Sequence, residues 1–257
     1  MNYRVKLRSK NPSASKLRSM LRSIRCNNPF LVRLGSRTPL AEIFPRNNSR
    51  VIELNTIEAI ENSRNKLRMK ACFNTEGISH AKWFPREQFN NDPQQAKYPI
   101  VVKQIFGFKG HGMRLVEKLE DFRPIPDGSY VEEFKNFSRE YRIHCTRDES
   151  FLAWRKLRRE DAKERWFFNS TNCNWVSEEH EMFQKPKIWN LMCEHAQRAI
   201  SATGLTIGAV DVRCKSDAKS EKDFIILEVN SAPELGEVGT ESYFKVIKKI
   251  VEDNDTK

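Results

Sequence analysis

Leu17, Met20, Leu21 and Ile24 recur at helical spacing and predict a helix over residues 13–25 with one packed face. Phe30–Leu34 reads as a buried strand, and Val51–Leu54 as another. A helical stretch follows from Thr56 to about Thr75, ended by Gly77-Ile78-Ser79. Phe84–Lys97 is polar, contains Pro85 and Pro93, and reads as a loop with one helical turn. Residues 98–117 read as strand, glycine-rich turn and strand, and Asp127-Gly128 as a turn into a strand at 129–134. Arg142–Thr146 and Ser150–Arg155 flank a hairpin turn. Ile188, Leu191, Met192, His195, Ala199 and Ile200 form one face of a helix that Gly204 ends. Two last strands enclose a charged loop at Lys215–Lys222, and an amphipathic helix covers about Glu241–Val251. Strands and helices intermix throughout, so the fold class is α/β (α+β). A chain of 257 residues can bury a substantial core as one multi-lobed unit.

The chemistry concentrates late in the chain. Asp211 ends Gly208-Ala209-Val210-Asp211, and Glu228-Val229-Asn230 follows on the next strand. Alternate strand residues share a face, so Glu228 and Asn230 point one way and Asp211 can join them from its neighbour. Three oxygen donors at the end of a buried sheet suit a hard cation that also takes phosphate oxygens, which is Mg²⁺ on a nucleotide. The same alternation also fits a buried hairpin with stray polar residues. Earlier, the β-branched run Tyr98–Lys103 ends in lysine, and Gly107, Gly110 and Gly112 follow with Lys109 and His111 between them. Glycines let successive N–H groups form an anion nest and lysine adds charge, although many such loops are only turns. Glu133 and Glu140 stand seven apart, the first at a strand end and the second on the next strand.

Together these residues resemble the ATP-grasp superfamily, of the carboxylate–amine ligase type. The segment from Lys103 to Met113 has the length of the strand-lysine-to-glycine-loop segment of D-alanine–D-alanine ligases. The Glu133/Glu140 spacing matches their adenine-linker and ribose glutamates, and Asp211, Glu228 and Asn230 match the metal trio Asp…Glu-x-Asn. Asn65-Lys66-Leu67 resembles the Asp-Lys-Leu helix start whose lysine reaches ATP phosphate. Asn11–Leu17, with Leu31–Ser36, is similar to small ATP-grasp proteins of bacteriophages. The resemblance implies an ATP-grasp fold with ATP between two antiparallel sheets. It also implies three lobes: a small amino-terminal lobe over 1–65, a lid lobe over 66–128, and a carboxy-terminal lobe with the metal site over 129–257. Its roles carry over residue by residue. Asp211, Glu228 and Asn230 hold one or two Mg²⁺ ions. Lys66 and Lys103 sit on phosphates, and Lys109, Gly110 and His111 close over them. Glu133, Phe134 and Asn136 take adenine, and Glu140 takes ribose. Arg142, with Arg155 or Lys156, offers positive charge to an acyl phosphate. A solvated charged helix explains Arg158–Arg165 equally well. The implied activity is an ATP-dependent amide-bond ligation through an acyl phosphate, joining a small-molecule or polymer carboxylate to an amine. An ATP-grasp kinase, or a non-catalytic nucleotide- or nucleic-acid-binding protein, fits the same residues.

Charge adds one feature. The first 41 residues hold ten Lys or Arg and no acid, while the other 35 basic residues nearly balance 34 acids. Such a block steers an anionic partner, a nucleic acid or acidic peptide, or is a solvated helix face; it also has the composition of a mitochondrial transit peptide. Six scattered cysteines without a CxxC pair predict reduced thiols in a cytoplasmic protein, in the host cytoplasm for a bacteriophage-encoded one. No apolar run approaches a membrane span.

Overall fold

The computed structural model describes residues 5–9, 14–45, 50–107, 110–169 and 171–255. Three sheets organise the chain. The first is parallel, in the order β1 (Val5–Ser9), β2 (Phe30–Leu34), β3 (Ile52–Leu54). The central strand β2 is buried throughout, and Leu17 and Leu21 of α1 (Ser15–Leu21) share its core with Tyr243, Ile247 and Val251 of the last helix, α7 (Gly236–Asp255). Of the predicted face, Leu17 and Leu21 are buried as expected, but the helix ends at Leu21, short of the predicted residue 25, and Ile24 packs on the core from beyond it. A short α2 (Leu40–Ile43) leads on towards β3.

The predicted helical stretch after Thr56 is two helices, α3 (Ile57–Arg64) and α4 (Lys66–Thr75). Thr56 caps α3 by accepting from Ala59 N at 3.2 Å. Asn65 breaks the run at φ −85° and ψ 106°, and its side chain accepts from Leu67 N and Arg68 N at 3.1 and 3.2 Å. An asparagine cap satisfies amide groups that a helix start leaves open, so Lys66 begins a new helix.

The second sheet is antiparallel, in the order β4 (Trp83–Pro85), β7 (Ser129–Glu133), β5 (Ile100–Gln104), β6 (Arg114–Val116). The one helical turn expected within Phe84–Lys97 is α5 (Arg86–Asn91), and the start of that stretch, expected to be loop, ends β4. Two phenylalanines, Phe84 and Phe89, sit in the core of this sheet beside Ile100, Val102 and Val131. They and Ala96 anchor a segment that is otherwise mostly polar, so periodicity did not show β4.

The third sheet is antiparallel, in the order β10 (Cys173–Ser177), β9 (Ser150–Arg158), β8 (Arg139–Thr146), β11 (Ile207–Cys214), β12 (Phe224–Asn230). β9 runs on through Arg158, and no helix covers Arg158–Arg165. β10 was not foreseen. Tyr141, Ile143, Ala153, Val210, Val212 and Ile226 pack in one core with Met192, Ala196, Ala199 and Ile200 of α6 (Trp189–Ala202). The alternate residues form the opposite, polar face.

Asn55 ties the parallel sheet to this one. It adopts φ +64° and is fully buried, yet its amide donates to Arg33 O and Ile207 O and accepts from Thr206 N and Ile207 N. Asparagine tolerates the left-handed region and can satisfy four partners, so it suits a buried junction. Among the described residues no helix is long and apolar enough to cross a membrane.

Candidate active site

The polar face of the five-stranded sheet carries Glu140, Arg142, Lys156, Asp211, Glu228 and Asn230. Register places Asp211 opposite both Glu228 on β12 and Arg142 on β8. A register shift just after Asp211 moves the next pair to Val212–Ile226. Arg142 grips Asp211 with two bonds, Nε to Oδ1 at 2.7 Å and Nη2 to Oδ2 at 2.9 Å. Lys156 Nζ reaches Asp211 Oδ2 at 3.1 Å and Glu140 Oε1 at 2.5 Å. Arg213 adds a longer contact to Glu140 at 3.9 Å. Trp175, across from Lys156 on β10, offers its ring to Arg142 at 4.9 Å and to Lys156 at 5.0 Å.

These charges set one another's state. Burial by itself would raise the Asp211 carboxyl, but Arg142 and Lys156 outweigh it and hold the group well below the ordinary carboxylate range. Burial likewise opposes the Lys156 charge, and Asp211 and Glu140 override it, so its ammonium is raised from its ordinary value. The face is thus a fixed array of charges with little need to reorganise.

Asn230 lies beside Glu228, its Nδ2 donating to Glu228 Oε1 at 3.3 Å. Asp211, in the middle of β11, therefore meets Glu228 and Asn230 at the end of the paired β12. Among the described residues no three Asp, Glu, His or Cys side chains form a metal-binding group. The trio's donors are instead two carboxylates and one amide, all hard oxygens that suit Mg²⁺. A carboxylate offers about four lone-pair sites, so Asp211 keeps acceptor capacity beside Arg142 and Lys156.

Lys66 faces this trio from the helix start. Its Nζ donates to the Gly107 carbonyl at 2.6 Å and lies 3.8 Å from Glu228 Oε2. It links the glycine-rich loop to β12. Lys103 on β5 contacts Glu132 Oε2 at 2.5 Å. Glu132 is buried, and Tyr130 and Lys70 complete its shell at 2.7 and 3.1 Å. Burial would raise the Glu132 carboxyl; Lys103 and Lys70 reverse this and hold it well below its ordinary value. Burial, the largest influence on Lys70, lowers its ammonium against the pull of Glu132.

Other candidates fall elsewhere. Glu133 points away from Lys103 and accepts from Lys97 N at 3.1 Å, with Lys135 at 3.4 Å. Phe134 N donates to Pro99 O at 2.8 Å, its ring meets Trp166 edge-on at 6.2 Å, and Asn136 is exposed. Gly110 adopts φ +77°, and a Cβ there would lie 2.8 Å from the Phe167 ring. His111 is exposed beside it. Lys109 lies outside the described residues. Arg155 sits on the opposite face from Lys156: its Nη1 donates to Met182 O at 2.6 Å and Gln184 Oε1 at 3.0 Å. The structure does not bring Arg155 to the Asp211 cluster.

Five residues of this region escaped the sequence reading: Lys70, Tyr130, Glu132, Trp175 and Arg213. Glu132 was hidden by its neighbour, since two adjacent glutamates give no clue which one faces inward. Trp175 lies on the strand that was missed.

No family model matches the chain. A tetrahydromethanopterin:α-L-glutamate ligase of Methanococcus maripaludis is 25% identical over 197 residues, covering 70% of this chain and 61% of that enzyme. The chain thus spans less than two thirds of that relative. Among solved structures, the ATP-grasp ligase PsnB with minimal precursor, Mg and ADP aligns at TM-score 0.64 and 10% identity, covering 99% of this chain and 98% of that one. The Bacillus anthracis D-alanine–D-alanine ligase with ATP aligns at 0.62 and 13%, covering 96% and 95%. The Campylobacter jejuni biotin carboxylase aligns at 0.62 and 17%, covering 88% of this chain and 54% of that one. The chain has the ATP-grasp fold.

Proposed function

We propose that the protein is an ATP- and Mg²⁺-dependent carboxylate–amine ligase working through an acyl phosphate. The observation that carries this reading is the convergence of Asp211, Glu228 and Asn230 with Lys66, whose Nζ touches both the glycine-rich loop and the metal strand. The glutamate ligase and the ATP-bound neighbours of the same fold support it.

ATP lies between the four-stranded and five-stranded sheets in this reading, and the lobes are 1–65, 66–128 and 129–257. Asp211, Glu228 and Asn230 would hold Mg²⁺, which supplies charge neutralisation at the transferring phosphoryl group. Lys66 and Lys103 set positive charge on the phosphates, and Gly110 and His111 cover them. The linker from Glu133 to Asn136 holds the base and Glu140 the ribose. Arg142 and Lys156 stabilise charge on the acyl phosphate oxygens, and the amine then displaces phosphate. The basic amino-terminal block attracts an anionic partner, a nucleic acid or an acidic peptide. Likeness to bacteriophage-encoded proteins and a cytoplasmic location belong to the same reading.

The test is ADP release by purified protein, screened over carboxylates and amines in pairs. A ligase needs both partners. ADP release with a single acceptor and no amine would make the protein a kinase, and release with none of them, together with tight ATP binding, would favour a binding module.

A further inference from the structure

Lys70 is a fully buried lysine to which the proposed chemistry gives no task. It lies on α4, one turn beyond Lys66. Its Nζ is 3.1 Å from Glu132 Oε1 and donates to the Leu227 carbonyl at 3.3 Å. The other Glu132 oxygen holds Lys103 at 2.5 Å. One carboxylate therefore stands between two ammonium groups. The Lys70 side chain is 0% exposed and that of Lys103 14%, so only Lys103 reaches the cleft. Lys70 is sealed from any phosphate. A buried charge is costly unless it is paired, and here its pairing has an electrostatic consequence.

We infer that Lys70 is a positioning residue: it offsets the Glu132 charge from behind, so that Glu132 can orient Lys103 without cancelling the positive charge Lys103 presents to ATP. With Lys70 the trio carries one net positive charge. Without it, Lys103 and Glu132 form a neutral pair at the phosphate site. The bond to Leu227, the residue before Glu228, fixes this counter-charge to the metal strand. The inference rests on the reading of Lys103 as a nucleotide lysine.

A purely structural lock and a counter-charge part company in a double substitution. Lys70→Met with Glu132→Gln removes both members of a lock, yet it restores a single positive charge through Lys103 alone. The experiment is calorimetric binding of ATP with Mg²⁺ to the full chain at fixed pH and salt, with a melting curve for each variant. Lys70→Met weakens ATP binding by about tenfold or more, and the double variant returns to within about threefold of wild type. Glu132→Gln alone binds ATP at least as tightly as wild type. Wild-type affinity in Lys70→Met, or a double variant no better than Lys70→Met, overturns the inference. Should Lys70→Met fail to fold, Glu132→Gln and the double variant decide it: ATP binding weakened in either does the same. Lys103→Ala separates the two levels. If it leaves ATP affinity intact, the reading of Lys103 fails and the inference falls with it. If it weakens ATP and Lys70→Met does not, only the inference falls.

Discussion

Arg142 and Asp211 are cross-strand partners on β8 and β11, joined by two parallel bonds of 2.7 and 2.9 Å. A forked guanidinium on a carboxylate is the strongest common form of ion pair, and Asp211 is almost wholly buried. The pair fixes one carboxylate of the proposed metal trio before any ligand arrives.

The Arg142–Asp211 pair has a pH signature. Arg142 and Lys156 hold the Asp211 carboxyl below its unfolded value despite burial. A depressed carboxyl adds stability above its unfolded value of about 3.9, and that stability is lost as pH falls towards the folded value. Arg142→Leu should relax the depression. We expect a loss of about 3 kcal/mol at pH 7 and a shallower decline between about pH 5 and 3. Urea unfolding at several pH values measures both. An unchanged slope would mean that Asp211 is not held by Arg142.

Glu228→Gln removes charge at the metal trio while keeping size and hydrogen bonding. Turnover should fall about 100- to 1,000-fold with little change in melting temperature. Wild type should gain about 2.7 kcal/mol from ATP with Mg²⁺ at 100 times Kd, and much less from ATP with chelator. Equal gains in the two conditions would point to anion binding by the basic surface.

Candidate residues that recur with a strand period were legible as a group. Asp211, Glu228 and Asn230 were legible because alternation on two adjacent strands puts them on one face, and the structure pairs Asp211 with Glu228. Periodicity ran one helix through Asn65, and the helix start at Lys66 was legible only through the resemblance; the structure shows Asn65 capping it with two accepted amide bonds. Partners brought together by packing were not. Nothing local in the sequence marks Lys70 as buried; its partners Glu132 on β7 and Leu227 on β12 come from distant strands. β10 is five residues long, and its buried positions, Cys173 and Val176, stand three apart, so no strand period separated it from the loop before it.

Arg155 and Lys156 are adjacent, and the strand puts them on opposite faces. Lys156 is buried between Glu140 and Asp211, whereas Arg155 ties down the 182–184 segment. Lys156→Met should cut turnover about 100-fold, since it removes a preorganised charge. Arg155→Ala should cost about 1 kcal/mol of stability and leave turnover within about threefold. Paired steady-state and melting measurements suffice. A turnover loss confined to Arg155→Ala would move the acyl-phosphate charge to the other face of the sheet.

Gly35 and Gly128 offer a matched comparison for the last prediction. Both adopt positive φ, +73° and +72°. A Cβ at Gly128 meets nothing within 4 Å, whereas one at Gly35 would lie 2.7 Å from the Ala232 Cβ. Alanine at either position bears the left-handed strain, about 1 kcal/mol. Gly35→Ala must also push apart the loop after β2 and the segment just beyond Asn230. It should therefore destabilise by about 1–3 kcal/mol more than Gly128→Ala. Because that segment follows the metal trio directly, Gly35→Ala should also lower turnover at temperatures where it remains folded, and Gly128→Ala should not. Equal stability and equal turnover in the two variants would show that the amino-terminal loop does not brace the metal strand.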